Sequence, residues 1–363
     1  MSALTSFPFS FPTGLTTPQS FNISVDRDFI EQTQAKVKTW RSPVSLWSNW
    51  TNEGPAIDQL DEIAQYWSNE YDWFSVQDRL NNEGHHYATT VSSDGNYTDP
   101  VPLHFVHRES SHPDAVPLLL LHGWPSTHLE WSKVIEPLVN DADTPFHIVA
   151  PDLPGFGFSP APTKLGLTPR ENGRAMHNLM EQLGYDKYGV VSTDLGWQVA
   201  LWMAGDAESN IIGHMTDFFP VQPTDQDLER LSRNETTEEE TTYILASNAW
   251  FSSHSAYSTV HTQKPLAVSL ALTDSPVGFL GWMWDLPGMM TFPKSKVPTG
   301  MSEWNLSGPF PEIAAFPMTP RSWIERISNV VYFTRHDFGG HFPAVSRPKE
   351  WVKDVQIFFS GLN

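Results

Sequence analysis

The chain has 363 residues, enough for one large domain or two unequal ones, and its 39% hydrophobic content against 18% charge supplies the apolar surface that a packed core needs. Forty-two acidic against 22 basic side chains leave a formal charge of -20, which repels phosphate backbones and excludes nucleic acid as a partner. With no cysteine there are no disulfides, no thiolate metal ligands and no cysteine nucleophile.

Residues 1–15, MSALTSFPFSFPTGL, lack the basic start and long apolar stretch of a signal peptide, and no apolar run reaches the length of about 18 residues that a bilayer requires. The expectation is a soluble, cytoplasmic protein with no transmembrane anchor. From residue 24 to about 78 the pattern is helical: Phe29, Val37 and Trp40, then Leu60, Ile63, Ala64 and Trp67, recur at spacings near three and four. After Gly84 the period changes, and residues 87–91 and 103–106 read as strands of a hairpin or meander. The apolar run 116–121, ending in His122-Gly123, predicts a strand buried on both faces, as in a parallel sheet.

Strict alternation follows. A helix is expected near 129–138, a strand over 147–150, a helix over 169–183 closed by Gly184, a strand over 188–192, a helix over 196–204 and a strand over 211–216. Such alternation indicates right-handed βαβ units and a doubly wound, mostly parallel sheet. From 220 to 296 it stops. The acidic stretch 225–240 reads as a solvated helix face or mobile loop, and helix-like pieces lie near 266–272 and 277–284, together an insertion or lid. A strand over 329–334 and a helix over 348–359 resume the pattern. The predicted organisation is therefore an N-terminal helical segment (1–84), a first core part (85–219), a shortened lid (220–296) and a second core part (297–363).

The most informative segment is Ser192-Thr193-Asp194-Leu195-Gly196, with small residues two positions either side of a potential nucleophile between a buried strand and a helix. That spacing makes a sharp elbow which exposes the central side chain at the carboxyl edge of a sheet. Here the central residue is Asp194, and a carboxylate so placed can displace at an electrophilic carbon to give an ester that water must cleave. An aspartate there is also a good helix cap. Leu121-His122-Gly123-Trp124-Pro125-Ser126 follows an apolar strand, so the N–H groups of Trp124 and Leu195 could hold the ester oxygen as it becomes tetrahedral. His122 itself reads as structural, and Asp152-Leu-Pro-Gly155-Phe-Gly157-Phe-Ser159 as a tight loop with no assigned catalytic role. Near the end, Gly339-Gly340-His341-Phe342 follows the last strand, and His341 is placed to activate water.

The order of HGWP, an elbow with aspartate, a lid and GGHF resembles the microsomal-type epoxide hydrolases of the α/β-hydrolase fold. The likeness extends to Phe21-Asn-Ile-Ser24, Arg41-Ser-Pro43, Tyr71-Asp72-Trp73 and Arg79-Leu80-Asn81, which look like that family's N-terminal helical meander. It implies that Asp194 opens a hydrophobic epoxide, that Trp124 and Leu195 hold the ester, and that water deprotonated by His341 releases a vicinal diol, with no metal or cofactor. A lid tyrosine that donates to the epoxide oxygen is implied at Tyr257, in the stretch running to Pro276-Val-Gly278. This chain departs from the family pattern after Gly278, where the portion carrying a second tyrosine is missing; Tyr243, His254 or His261 could substitute. The acid that orients His341 is expected at Glu312, in Phe310-Pro311-Glu312-Ile313, with Glu303 and Asp217 as alternatives. A cyclase or isomerase using the substrate's own hydroxyl, or a non-catalytic ligand-binding relative, remain the other readings. Haloalkane dehalogenation is disfavoured by Leu195, where a halide-binding tryptophan would stand. Oligomeric state is left open, a homodimer included.

Overall fold

The computed structural model describes residues 8–46, 54–55, 57–140, 144–253, 255–283, 297–305 and 318–362. In chain order the elements are β1 (Gln19–Ser20), α1 (Arg27–Lys38), α2 (Ile57–Asn69), α3 (Trp73–Glu83), β2 (His86–Val91), β3 (Val101–Arg108), β4 (Val116–Leu121), α4 (Ile135–Asn140), β5 (Phe146–Pro151), α5 (Pro169–Gln182), β6 (Tyr188–Ser192), α6 (Asp194–Asp206) and β7 (Ile211–Thr216). There follow α7 (Asp225–Ser232), α8 (Glu238–Ser253), α9 (Ala256–Gln263), α10 (Pro265–Leu272), α11 (Pro276–Met283), β8 (Pro298–Asn305), α12 (Arg321–Ile327), β9 (Asn329–Gly339), α13 (Pro343–Ser346) and α14 (Pro348–Ser360). They fall into two compact units, one holding α1–α3 and α7–α11, the other holding the sheet and the remaining helices.

The sheet has nine strands in the order β1-β2-β3-β5-β4-β6-β7-β8-β9. The first three pair antiparallel, β3 pairs antiparallel with β5, and every pair from β5 to β9 is parallel. Why the leucine run makes a central strand is visible in its packing. Leu119 and Leu121 point to one face, against Met176, Met180 and Met203 of α5 and α6. Leu118 and Leu120 point to the other, with Trp131, Trp351 and Phe358. All four leucines are fully buried, so a strand with helices on both sides has no polar face to show.

Three sequence expectations are corrected here. The helix expected near 129–138 is a short 3-10 turn, His128–Trp131, followed by α4 from Ile135. Pro137 explains the break, because its ring would clash with the carbonyl four residues back if the helix began earlier. The helix expected from Gly196 begins at Asp194. The last strand runs on to Gly339 rather than ending at 334, paired with β8 through Glu303 opposite Arg335 and Trp304 opposite His336, with an irregularity before Asn305 meets Gly339.

The helical unit packs α1, α2 and α11 around Val37, Leu60, Ala64 and Val277. Its acidic stretch is two helices with organised starts: Thr224 and Asp227 form a capping box on α7, and Arg230 bridges at 2.8 Å to Glu240, whose carboxylate also takes the Thr237 N–H at 2.9 Å. No described helix is long and apolar enough to cross a membrane.

Candidate active site

The elbow lies where β6 ends at Ser192 and α6 begins at Asp194. Asp194 has φ of 44°, in the left-handed region that non-glycine residues seldom occupy. Thr193 N–H donates to Leu121 O at 3.1 Å, which pins the turn to the adjacent strand. A side chain at Gly196 would put its Cβ 2.6 Å from the His122 carbonyl oxygen and closer still to that of Leu121. At Gly123 it would lie 2.7 Å from the Asp194 carboxyl carbon. Both positions therefore require glycine, and the Asp194 side chain sits directly against the HGWP loop.

Across that contact the Trp124 N–H donates to Asp194 Oδ1 at 2.8 Å. The first intrahelical bond of α6 runs from Trp197 N–H to Thr193 O, so the Leu195 N–H belongs to the first turn, whose donors have no helical acceptor. The other oxygen, Asp194 Oδ2, lies 3.6 Å from His341 Nε2. Both side chains are nearly enclosed, at 10% and 15% exposure, and His341 is held edge-on by Phe218 and Phe342. One carboxylate thus meets a backbone donor on one oxygen and an imidazole on the other.

Asp217, just past the end of β7, is the described acid whose electrostatics are tied to that imidazole. Burial pushes its pKa up to about 6, while the Thr193 hydroxyl, the Trp351 indole and the charge of His341 oppose the rise. The Trp351 Nε1–H donates to Asp217 Oδ2 at 3.1 Å, and Trp351 in turn packs on Trp131 with ring centroids 5.4 Å apart.

Two family descriptions match the chain: the epoxide hydrolase N terminus over residues 18–131 and the alpha/beta hydrolase fold over residues 116–303. The chain belongs to the epoxide hydrolases of the α/β-hydrolase fold. Among relatives of this family, one from Stigmatella aurantiaca is 28% identical over 94% of this chain and 84% of its own length. The juvenile hormone epoxide hydrolase of Manduca sexta is 27% identical over 83% of this chain and 77% of its own. In fold, the juvenile hormone epoxide hydrolase of Bombyx mori superposes with a TM-score of 0.80 at 23% identity, covering 96% of this chain and 95% of that one. The Aspergillus niger epoxide hydrolase gives 0.78 at 22%, covering 98% and 99%.

The other candidates of this epoxide hydrolase are placed as follows. Glu303 is buried on β8 and engaged with Arg335, whose Nε–H donates to it at 2.5 Å while Nη2–H donates to Thr319 O at 2.9 Å. Glu312 and His254 lie outside the described residues. Tyr257 is buried on α9 in the helical unit, edge-on to His261, whose Nε2 accepts from Trp282 Nε1–H at 2.8 Å. Burial lowers the His261 pKa, so that ring is a neutral acceptor rather than an acid. Tyr243 is fully buried in the same unit.

Sequence reasoning missed Glu130. It sits in the 3-10 turn after the HGWP loop, 3% exposed, with neither carboxyl oxygen in hydrogen-bonding geometry with a described partner. Burial and the nearby charges of Asp217 and Asp194 raise its pKa well above the carboxylate range, and the Ser126 hydroxyl and Gly123 N–H offset only part of this. Glu130 is thus a buried carboxyl beside Asp194 and Asp217 whose pKa is held high by its surroundings. A glutamate three residues past a Pro-Ser-Thr turn reads as solvated, and only tertiary packing encloses it.

Proposed function

We propose that the protein converts a hydrophobic epoxide and water to a vicinal diol through an ester on Asp194. The observation that carries this reading is one carboxylate gripped on Oδ1 by the Trp124 N–H, with His341 Nε2 3.6 Å from its Oδ2. In the first step Oδ2 attacks a ring carbon, the carbon–oxygen bond of the epoxide breaks, and Tyr257 gives its phenolic proton to the leaving oxygen. A phenol suits this because it stays protonated at neutral pH yet donates strongly to a developing alkoxide. Oδ1 becomes the ester carbonyl oxygen.

In the second step His341 Nε2 takes a proton from water, and the hydroxide adds to the Asp194 carboxyl carbon. Negative charge gathers on Oδ1, where the N–H groups of Trp124 and Leu195 stabilise it, each by roughly 3 kcal/mol. Collapse expels the diol oxygen, which recovers the proton from the imidazolium; Asp194 keeps one oxygen from water, and the proton on that oxygen returns to the Tyr257 phenolate, restoring both groups. We assign Asp217 as the acid that stabilises the imidazolium. The charge of His341 acting on Asp217 supports this assignment, as does the engagement of Glu303 with Arg335.

The test is trapping. His341→Ala incubated with a reactive aryl epoxide should accumulate a covalent adduct on the peptide containing Asp194, read by mass spectrometry, and Asp194→Ala should give none. An adduct elsewhere, or none with any epoxide the wild type binds, overturns the mechanism. In oxygen-18 water the wild type should label the diol after its first turnover; an unlabelled product would mean that the substrate's own hydroxyl replaces water.

A further inference from the structure

The Trp124 N–H belongs to a planar peptide unit whose other end is the Gly123 carbonyl, so whatever fixes that oxygen aims the donor at Asp194. Gly123 O accepts from Ser126 N–H at 2.9 Å and faces His122 Nδ1 at 2.9 Å. On the other side of the same imidazole, Leu153 N–H reaches His122 Nε2 at 3.0 Å. A backbone N–H can only donate, so Nε2 must carry a lone pair, and the proton of the neutral ring must stand on Nδ1, where it donates to Gly123 O. The ring is fully buried and both nitrogens have assigned roles.

The far end of the loop is gripped by the same segment. Asp152 Oδ1 accepts from His128 N–H at 2.8 Å and from His128 Nδ1–H at 2.9 Å. Its Oδ2 accepts from His104 Nδ1–H at 2.8 Å and Phe158 N–H at 2.9 Å. The Asp152-Leu153 corner therefore holds residue 122 and residue 128 together, one through a backbone donor and one through a carboxylate.

We propose that His122 is a positioning residue of the oxyanion site: as the Nδ1–H tautomer seated on Leu153, it locks the Gly123–Trp124 peptide so that the Trp124 N–H stays directed at Asp194 before and after charge develops. A donor fixed in this way needs no reorganisation at the moment of reaction, the condition under which such groups contribute most. Burial, which lowers the His122 pKa against the pull of Asp152 3.9 Å away, is consistent with a neutral ring. An imidazolium would set two N–H groups against each other at Leu153.

This inference rests on the ester mechanism for its kinetic consequence but not for its structural one, and the experiment separates them. In the full-length protein labelled with nitrogen-15 histidine, the His122 resonances, assigned by their loss in His122→Asn, should show a neutral ring protonated on Nδ1 from pH 8 to 5.5. A proton on Nε2, or titration near the ordinary value of about 6.5, overturns the proposal whatever the enzyme does. In single turnovers, normalised to the fraction of sites that form ester, His122→Gln keeps an acceptor for Leu153 but loses the donor to Gly123. It should slow ester hydrolysis by about 100-fold with the rate of ester formation changed far less. His122→Asn keeps the donor and should lose less than about tenfold. Equal rates per active site in the two variants, with only their melting temperatures lowered, would mean that His122 merely stabilises the fold. If the wild type forms no ester at all, the mechanism fails while the tautomer measurement still decides the structural arrangement.

Discussion

Asp217→Asn tests the site through stability as well as rate. Burial raises the Asp217 pKa from 3.8 to about 6. A carboxyl whose folded pKa is raised binds its proton more tightly in the native state, so it penalises folding once pH exceeds its unfolded value, and the penalty is complete above the folded one. Two units at about 1.4 kcal/mol each make this about 3 kcal/mol at pH 8. Asparagine carries no charge to desolvate and still offers an oxygen to the Trp351 indole. Urea denaturation should therefore find wild type and variant alike below pH 4, with the variant more stable by up to about 3 kcal/mol at pH 8, the gap opening between pH 4 and 6. Diol formation should fall by about 10³–10⁴-fold, as expected when the partner of a catalytic imidazole loses its charge. The wild-type hydrolytic rate should itself decline as pH falls through about 6, where Asp217 takes up a proton. Parallel denaturation of the two proteins from pH 4 to 8, or a less stable variant at pH 8, would show that no desolvated carboxylate stands there.

Tyr257→Phe should slow ester formation by about 10²-fold, measured by rapid quench, and leave hydrolysis of the preformed ester unchanged. Glu303→Gln should cost about 1–2 kcal/mol in denaturant, since Arg335 loses its ionic partner but keeps partial access to water, while the rate per folded molecule holds. Gly196→Ala should lose about 3 kcal/mol or fail to fold, because its methyl group would meet strand backbone rather than a side chain that can turn away. Glu130→Gln removes a carboxyl whose pKa is held high; it should gain stability over wild type as pH rises above the ordinary glutamate range, and retain activity.

What the sequence showed and what it hid follow from how each element is stabilised. Residues 188–192 and 211–216 read as strands to the residue, because strands buried on both faces declare themselves as apolar runs bounded by turns. β1 is two residues long and carries no period at all. β9 was cut short at 334 because residues 335–337, Arg, His and Asp, look like a solvated loop; their partners are Glu303 and Trp304 on a strand some thirty positions earlier, and only that pairing makes them a ladder.

The site divides along the same line. That Asp194, Trp124 and His341 come together is legible in the sequence, because chain geometry places them: an elbow between strand and helix, a loop after a strand, and a glycine turn after the last strand. The acid was not, since any of several strand ends can deliver a carboxylate to an imidazole, and the choice depends on which one the fold desolvates and which one it pairs. Glu303 is paired with Arg335, whereas Asp217 faces the Trp351 indole, the Thr193 hydroxyl, the charge of His341 and the neighbouring carboxyl of Glu130. Because its charge is costly to bury, the Asp217 carboxylate gains when His341 becomes an imidazolium in the mechanism we propose. That difference in free energy between the resting and protonated states is what an orienting acid contributes to catalysis.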